Sequence, residues 1–422
     1  MDKSALQAIA SDPRALLQQI DLAGRRALFV RADESELRAA SFLDERLGLQ
    51  KREGVWVPFE QFLAPDFLPE SHRGPADFIF HIGHCGSTLL SRLLDRSPDV
   101  LGLREPLVLR ELAAEQRNLD TPLARSHPQQ WQTLLCNSLQ LWERGFSPGQ
   151  RIVVKATSTC NNLIEPILQA RPQSRAVLLY LRLEPYLATM IKRPGGGIDA
   201  QHAAPARLEF LHGLLGDSSI RLPDLHPSEI LAMGWTAELA RFSLLMSNSN
   251  GTDSSPKSAI SNSLLPLREK VAQSAGRGER SEAAAPGTDH PSPQPSPARG
   301  EGASITPDQF ESVPFTSDPL CSERLLMLDF EQLLADVPAM LDSVRRHLRL
   351  PAPRDGAGQD EHNPVMKSYA KDPAHAYSPG DRLHDLALSR RTFADEISQG
   401  MRWADRLIQA KPSLGHLRPL LG

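Results

Sequence analysis

Aromatic residues are scarce, at 5% of the 422-residue chain, and there are four cysteines, at positions 85, 136, 160 and 321. Their spacings match no zinc or disulfide framework, so neither a metal-ribbon fold nor a disulfide scaffold is expected, and a reducing cytoplasm is the default compartment. An excess of one charge is also missing. The 47 basic and 51 acidic residues leave a net charge of −4, which removes the broad positive footprint of a general nucleic-acid binder. No apolar run approaches the roughly 18 residues that a membrane-spanning helix needs. The stretch from Met1 to Asp21 carries Asp2, Lys3, Asp12 and Arg14 among its apolar positions and does not read as a secretory signal.

Hydrophobic residues make up 40% and charged residues 23%, enough for a large buried core. One segment departs from that composition. The segment 248–318 is rich in Ser, Pro and Gly, and its stretch 290–302 has no apolar period. Such a segment buries too little surface to offset its ordering entropy and is expected to be a disordered insertion. Four regions follow: an N-terminal helical or irregular extension (1–75), a first part of the main domain (76–247), the insertion (248–318), and a last part carrying a strand and C-terminal helices (319–422).

Helices are expected over 4–19, 34–47, 88–95, 131–142, 229–246 and 337–348. Strands are expected over 77–82, 151–154, 176–181 and 324–328. Strands alternating with helices predict an α/β fold with a doubly wound, mostly parallel sheet, helices on both faces, and helical elaborations at each end. Trp131, Trp142, Trp235 and Trp403 fall on helical patterns and are expected in the core or in cleft walls.

The segment that carries chemistry is Phe78-Ile-Phe-His-Ile-Gly-His-Cys-Gly-Ser-Thr-Leu-Leu90. A hydrophobic strand runs into Gly83 and Gly86, then into Ser87, Thr88 and a helix. Glycines let successive amides curl toward one anion, and the helix start adds a partial positive charge and hydroxyl donors. The bland alternative is a tight turn that binds nothing. The nucleotide-hydrolase signature fails, because His81 stands at its first glycine and Ser87 at its lysine. His81 and His84 are three apart, but no second pair of ligands accompanies them, and no metal is expected.

This segment resembles the loop of the P-loop sulfotransferase family, whose strand leads into a glycine-hydroxyl loop that binds the 5′-phosphate of 3′-phosphoadenosine 5′-phosphosulfate (PAPS). Gly86, Ser87 and Thr88 match it. His84 stands where the family has Arg or Lys, and Cys85 where it has Ser. The resemblance continues through Asp95-Arg-Ser-Pro-Asp-Val100 to Glu105. It implies a PAPS-dependent transferase of the P-loop fold, covering about 78–348 without the insertion. Its implied site has Glu105 as general base, Lys155 against the transferred sulfate, and His84 able to replace the loop cation when protonated. Gly83, His84, Cys85, Gly86, Ser87 and Thr88 would cradle the 5′-phosphate, and Arg182 and Thr189 would hold the 3′-phosphate. A base of this kind is expected to be a partly buried carboxylate with a raised pKa. Lys371 and Arg382, in a polar C-terminal tail, could also reach a phosphate. The acceptor would be the hydroxyl of a small molecule or glycan, with no nucleic acid and no membrane span involved. A nucleotide-dependent phosphotransferase and a non-catalytic anion-binding homologue are the other two readings the residues allow. Oligomeric state is left open.

Overall fold

The computed structural model describes residues 1–48, 52–68, 74–192, 196–248, 322–352 and 364–422. The expected insertion lies outside the described residues, apart from Asn248. Asp2 caps the first helix, α1 (Lys3–Ser11), by accepting a hydrogen bond from the Ala5 amide at 2.8 Å. The helix expected to reach residue 19 stops there, because Pro13 disfavours helical backbone in the residue before it. The chain then enters β1 (Ala15–Asp21), which pairs antiparallel with β2 (Arg26–Arg31), and β2 pairs with β3 (Gly54–Pro58). The N-terminal region 1–75 therefore holds a three-stranded sheet, which corrects the expectation of a helical or irregular extension. Leu16, Leu17 and Ile20 fit a helical spacing in the sequence, but they pack with Leu28, Phe29 and Val30 of the neighbouring strand.

The helix expected over 34–47 is also shorter. After α2 (Glu34–Ala39), the carbonyls of Leu37, Arg38 and Ala40 accept hydrogen bonds from the buried Arg104 guanidinium at 2.6–3.1 Å. Carbonyls at a helix end need such partners, and Arg104 fixes this end to the main sheet. A short α3 (Phe59–Phe62) closes the small sheet.

The main sheet has five parallel strands: β4 (Asp77–His81), β5 (Val100–Arg104), β6 (Arg151–Lys155), β7 (Ala176–Tyr180) and β8 (Leu325–Asp329), in the order β5-β6-β4-β7-β8. Every residue of β4 and β5 is buried. Successive side chains point to opposite faces, so both faces are covered, as in a doubly wound α/β sheet. Four of the strands were legible in the sequence. The fifth, β5, is interrupted by Gly102, where a Cβ would stand 2.9 Å from both Arg104 Nη1 and Ser91 Oγ.

The remaining helices are α4 (Ser87–Leu94), α5 (Leu107–Asn118), α6 (Pro128–Trp142), α7 (Ile164–Ala170), α8 (Leu183–Ile191), α9 (Gly196–Leu215), α10 (Pro227–Asn248), α11 (Phe330–Ala335), α12 (Val337–His347), α13 (Pro379–Thr392) and α14 (Ala394–Ala410). A two-stranded hairpin, β9 (Ser368–Tyr369) with β10 (Asp372–Ala376), precedes α13. The chain leaves central β4 for β5 and β6 on one side, then crosses to β7 and β8 on the other. A crevice at the carboxyl end of β4 is the expected ligand position in such a sheet. Among the described residues, no helix is long and apolar enough to cross a membrane.

Candidate active site

The loop after β4 is shaped by three demands on the backbone. Gly83 (φ 94°), His84 (φ 51°) and Gly86 (φ 77°) all lie in the left-handed region, which glycine enters freely and histidine does at a cost. His81 sets the root of the loop. Its ring is buried, Nδ1 accepts the Gly83 amide at 3.0 Å, and Nε2 lies 2.9 Å from the Ala156 carbonyl. That pattern requires a neutral ring protonated on Nε2. Burial, with the charge of Lys155 beside it, holds the ring's pKa well below the usual value. The His81 carbonyl accepts from Asn161 Nδ2 at 3.1 Å, and that amide also reaches Glu238 at 2.9 Å. The sequence does not show this part for His81, because it depends on contacts far along the chain.

At the helix start, the amides of Ser87, Thr88 and Leu89 have no intrahelical acceptor. The Thr88 hydroxyl is buried, with the residue only 3% exposed, and has no hydrogen-bond partner among the described residues. Gly86 lies under the Phe330 ring: a Cβ there would stand 1.9 Å from Cε2. Two expected loop contributors turn away. The Gly83 amide is committed to His81. The Cys85 thiol is fully buried and donates to the Leu179 carbonyl at 3.3 Å, and burial pushes its pKa up to about 12. Its side chain therefore offers nothing to a ligand.

Glu105 and Lys155 arrive from adjacent strand ends. β5 and β6 pair Arg104 with Lys155, and the Glu105 amide donates to the Lys155 carbonyl at 2.7 Å. Glu105 has φ 55°, a strained conformation for a side chain of its size. Its carboxylate pairs with the buried Lys155 ammonium and, at 2.8 Å, with Arg46. Burial pushes the carboxyl's pKa up, but Lys155, Arg46 and Lys371 outweigh it and hold the group below its ordinary value. The expected raised pKa is thereby corrected: Glu105 is a carboxylate at neutral pH. The Phe42 ring lies between cations, with the Arg46 guanidinium 3.3 Å, the Lys155 ammonium 5.9 Å and the Lys371 ammonium 6.0 Å from its centroid.

The opposite wall comes from the C-terminal part. Arg382 pairs with Glu331 and lies 5.2 Å over the Phe330 ring. Lys192 pairs with Asp385 at 2.7 Å, and Tyr377 donates to the same carboxylate at 3.1 Å. Leu334, Val365, Met366 and Leu386 add an apolar surface to a cleft of about 940 Å³, its open mouth included.

This one cleft gathers His84, Gly86, Ser87, Thr88, Glu105, Lys155 and Thr189. The Thr189 hydroxyl donates to the Pro185 carbonyl at 2.8 Å and keeps its lone pairs. Arg182, expected to grip a ligand from β7, is not among the residues that line the cleft. Tyr180 pairs in register with Asp329 of β8, and the Arg182 guanidinium turns to that aspartate at 3.4 Å and to the Gly422 carbonyl at 3.3 Å. Lys192, Lys371, Arg382 and Arg46 join the site from positions that no local motif connects to the loop. Among the described residues, no group of three or more His, Cys, Asp or Glu side chains is placed to hold a metal ion.

No family model matches the chain, and no curated protein does. Among solved structures, it is similar to sulfotransferase STF1 from Mycobacterium tuberculosis H37Rv, at 14% identity and a TM-score of 0.30, over 76% of this chain and 77% of that one. The sulfotransferase domain of the Synechococcus PCC 7002 olefin synthase is 14% identical, with a TM-score of 0.28, over 77% of this chain and 97% of the domain. Sulfotransferase STF9 from Mycobacterium avium is 12% identical, with a TM-score of 0.32, over 93% of this chain and 96% of its own.

Proposed function

We propose that the protein is a sulfotransferase-type enzyme that moves a sulfuryl group from PAPS to the hydroxyl of a small-molecule or glycan acceptor. The observation that carries this reading is the buried, unpartnered Thr88 hydroxyl at the start of α4, in the same cleft as the Glu105–Lys155 pair. A buried hydroxyl without a partner costs free energy unless a ligand satisfies it. The amides of Ser87, Thr88 and Leu89 with the two hydroxyls suit a phosphate, and Thr189 offers another hydroxyl along the wall. The reading leaves Arg182 out of the donor site.

When bound, PAPS supplies an activated sulfuryl group and a nucleotide bisphosphate leaving group. Glu105, ionised at neutral pH, accepts the proton of the acceptor hydroxyl as that oxygen attacks. Lys155 stabilises the negative charge on the departing oxygen. The two roles are linked: as Lys155 turns toward that oxygen, Glu105 loses its nearest cation, and burial then raises the carboxylate's proton affinity.

Calorimetric titration tests the donor site. Tight binding of 3′,5′-adenosine bisphosphate with no response to ATP·Mg is the expected result, and the reverse preference would replace this reading with a phosphotransferase. For the chemistry, Glu105→Gln is expected to lower sulfuryl transfer about 100-fold or more while leaving bisphosphate affinity near that of the unaltered protein. Full turnover in this variant would remove Glu105 from the mechanism.

A further inference from the structure

The loop between β4 and α4 contains neither lysine nor arginine, and its third residue is His84. Lys371 reaches it from 287 residues away, with Nζ 3.5 Å from His84 Nδ1. The ring's other nitrogen, Nε2, lies 3.7 Å from Asp199 Oδ2. His84 thus stands between Lys371 and Asp199, where its ring can orient the lysine.

The hairpin turn that carries Lys371 is anchored. Arg92 of α4 donates through Nε to the Ala370 carbonyl at 2.8 Å, and through Nη2 to Ser41 Oγ at 2.8 Å and the Ala39 carbonyl at 3.2 Å. One helix therefore positions both the Thr88 hydroxyl and the backbone beside Lys371. Lys155 and Lys371 stand about equally far from the Phe42 centroid, at 5.9 and 6.0 Å. Both lysines line the same cleft as Thr88. An anion on the α4 amides would have Lys155 from the sheet and Lys371 from the hairpin as neighbours.

We infer that Lys371 is the donor-binding cation of this cleft: oriented by His84, it faces the sulfuryl end of a 5′-phosphosulfate whose phosphate rests on the α4 amides. The inference depends on the sulfuryl-donor reading of the cleft. A cation delivered from the C-terminal hairpin does the work that a basic loop residue would otherwise do, which accounts for a loop that carries histidine there.

The test is calorimetry on the full chain with two probes, PAPS and 3′,5′-adenosine bisphosphate. Lys371→Gln is expected to weaken PAPS binding about tenfold or more, in the range of a lost charge-assisted contact. It should weaken the bisphosphate clearly less, since that probe lacks the sulfuryl group. Lys371→Arg should restore PAPS affinity to within about threefold. Should the Gln variant melt below the unaltered protein, Lys371→Met, which keeps the apolar stem, takes its place in the comparison. Unchanged PAPS affinity, or equal losses for both probes, overturns the role of Lys371 while leaving the donor site standing. If the unaltered protein binds neither probe, the donor reading and this inference fall together.

Discussion

Thr88 and Glu105 show two ways in which a side chain can be poised for work. Thr88 keeps a buried hydroxyl without a partner among the described residues, so the ligand-free protein bears its desolvation cost. Valine has the same shape without the hydroxyl. Thr88→Val is therefore expected to leave the ligand-free protein at least as stable, with a gain of up to about 1 kcal/mol, while bisphosphate affinity falls roughly tenfold. Thermal melts and titration calorimetry on the same sample check both halves. A variant that melts lower and binds normally would make Thr88 an ordinary core residue. Glu105 holds a strained backbone conformation and an ion pair with a buried lysine. The sequence made its position legible as a carboxylate near the loop, but the direction of its pKa was not, because Arg46, Lys155 and Lys371 converge on it from three distant segments.

At the scale of elements, the β4–α4 loop packs directly against the first residue of α11, Phe330. Gly86 combines a φ of 77° with a position where any Cβ would meet the Phe330 ring at 1.9 Å. Gly86→Ala is expected to cost about 1–2 kcal/mol for the backbone and more for displacing the ring. In a Phe330→Ala background only the backbone part should remain, so chemical denaturation of the four proteins should show a coupling above about 1 kcal/mol. Equal costs in both backgrounds would show that the ring does not press on the loop. The strand–glycine–helix unit was readable because its signals are local: an apolar strand, two glycines and a helix start all fall between Phe78 and Leu90. β5 and β1 were not. Gly102 breaks the apolar run of β5 to make room for Arg104, and Ala15–Asp21 has spacing that fits a helix until a partner strand is present. Arg182 is readable as a ligand only from the motif at the end of β7, and the aspartate that diverts it lies 147 residues away.

For the molecule as a whole, the small N-terminal sheet and the main α/β sheet meet through α5, and one acid records that junction. Glu111 of α5 accepts the Ile20 amide of β1 at 2.6 Å. Burial pushes its pKa up to about 8, outweighing the opposing effects of that hydrogen bond and of Arg110. The folded chain therefore binds one more proton than the unfolded chain between about pH 4.5 and 8. Stability from this group is fully present below pH 4.5 and declines as pH rises through that window, by at most about 1.4 kcal/mol per pH unit. Glutamine keeps the acceptor for the Ile20 amide and cannot ionise. Glu111→Gln is expected to match the unaltered protein near pH 4.5 and to exceed it by about 1–3 kcal/mol at pH 8.5, a range lowered from the full shift because Glu111 is only partly buried. Urea denaturation of both proteins at the two pH values, read by tryptophan fluorescence, measures the difference directly. Parallel stability curves would mean that Glu111 titrates as an exposed acid and that the two sheets do not press it out of water.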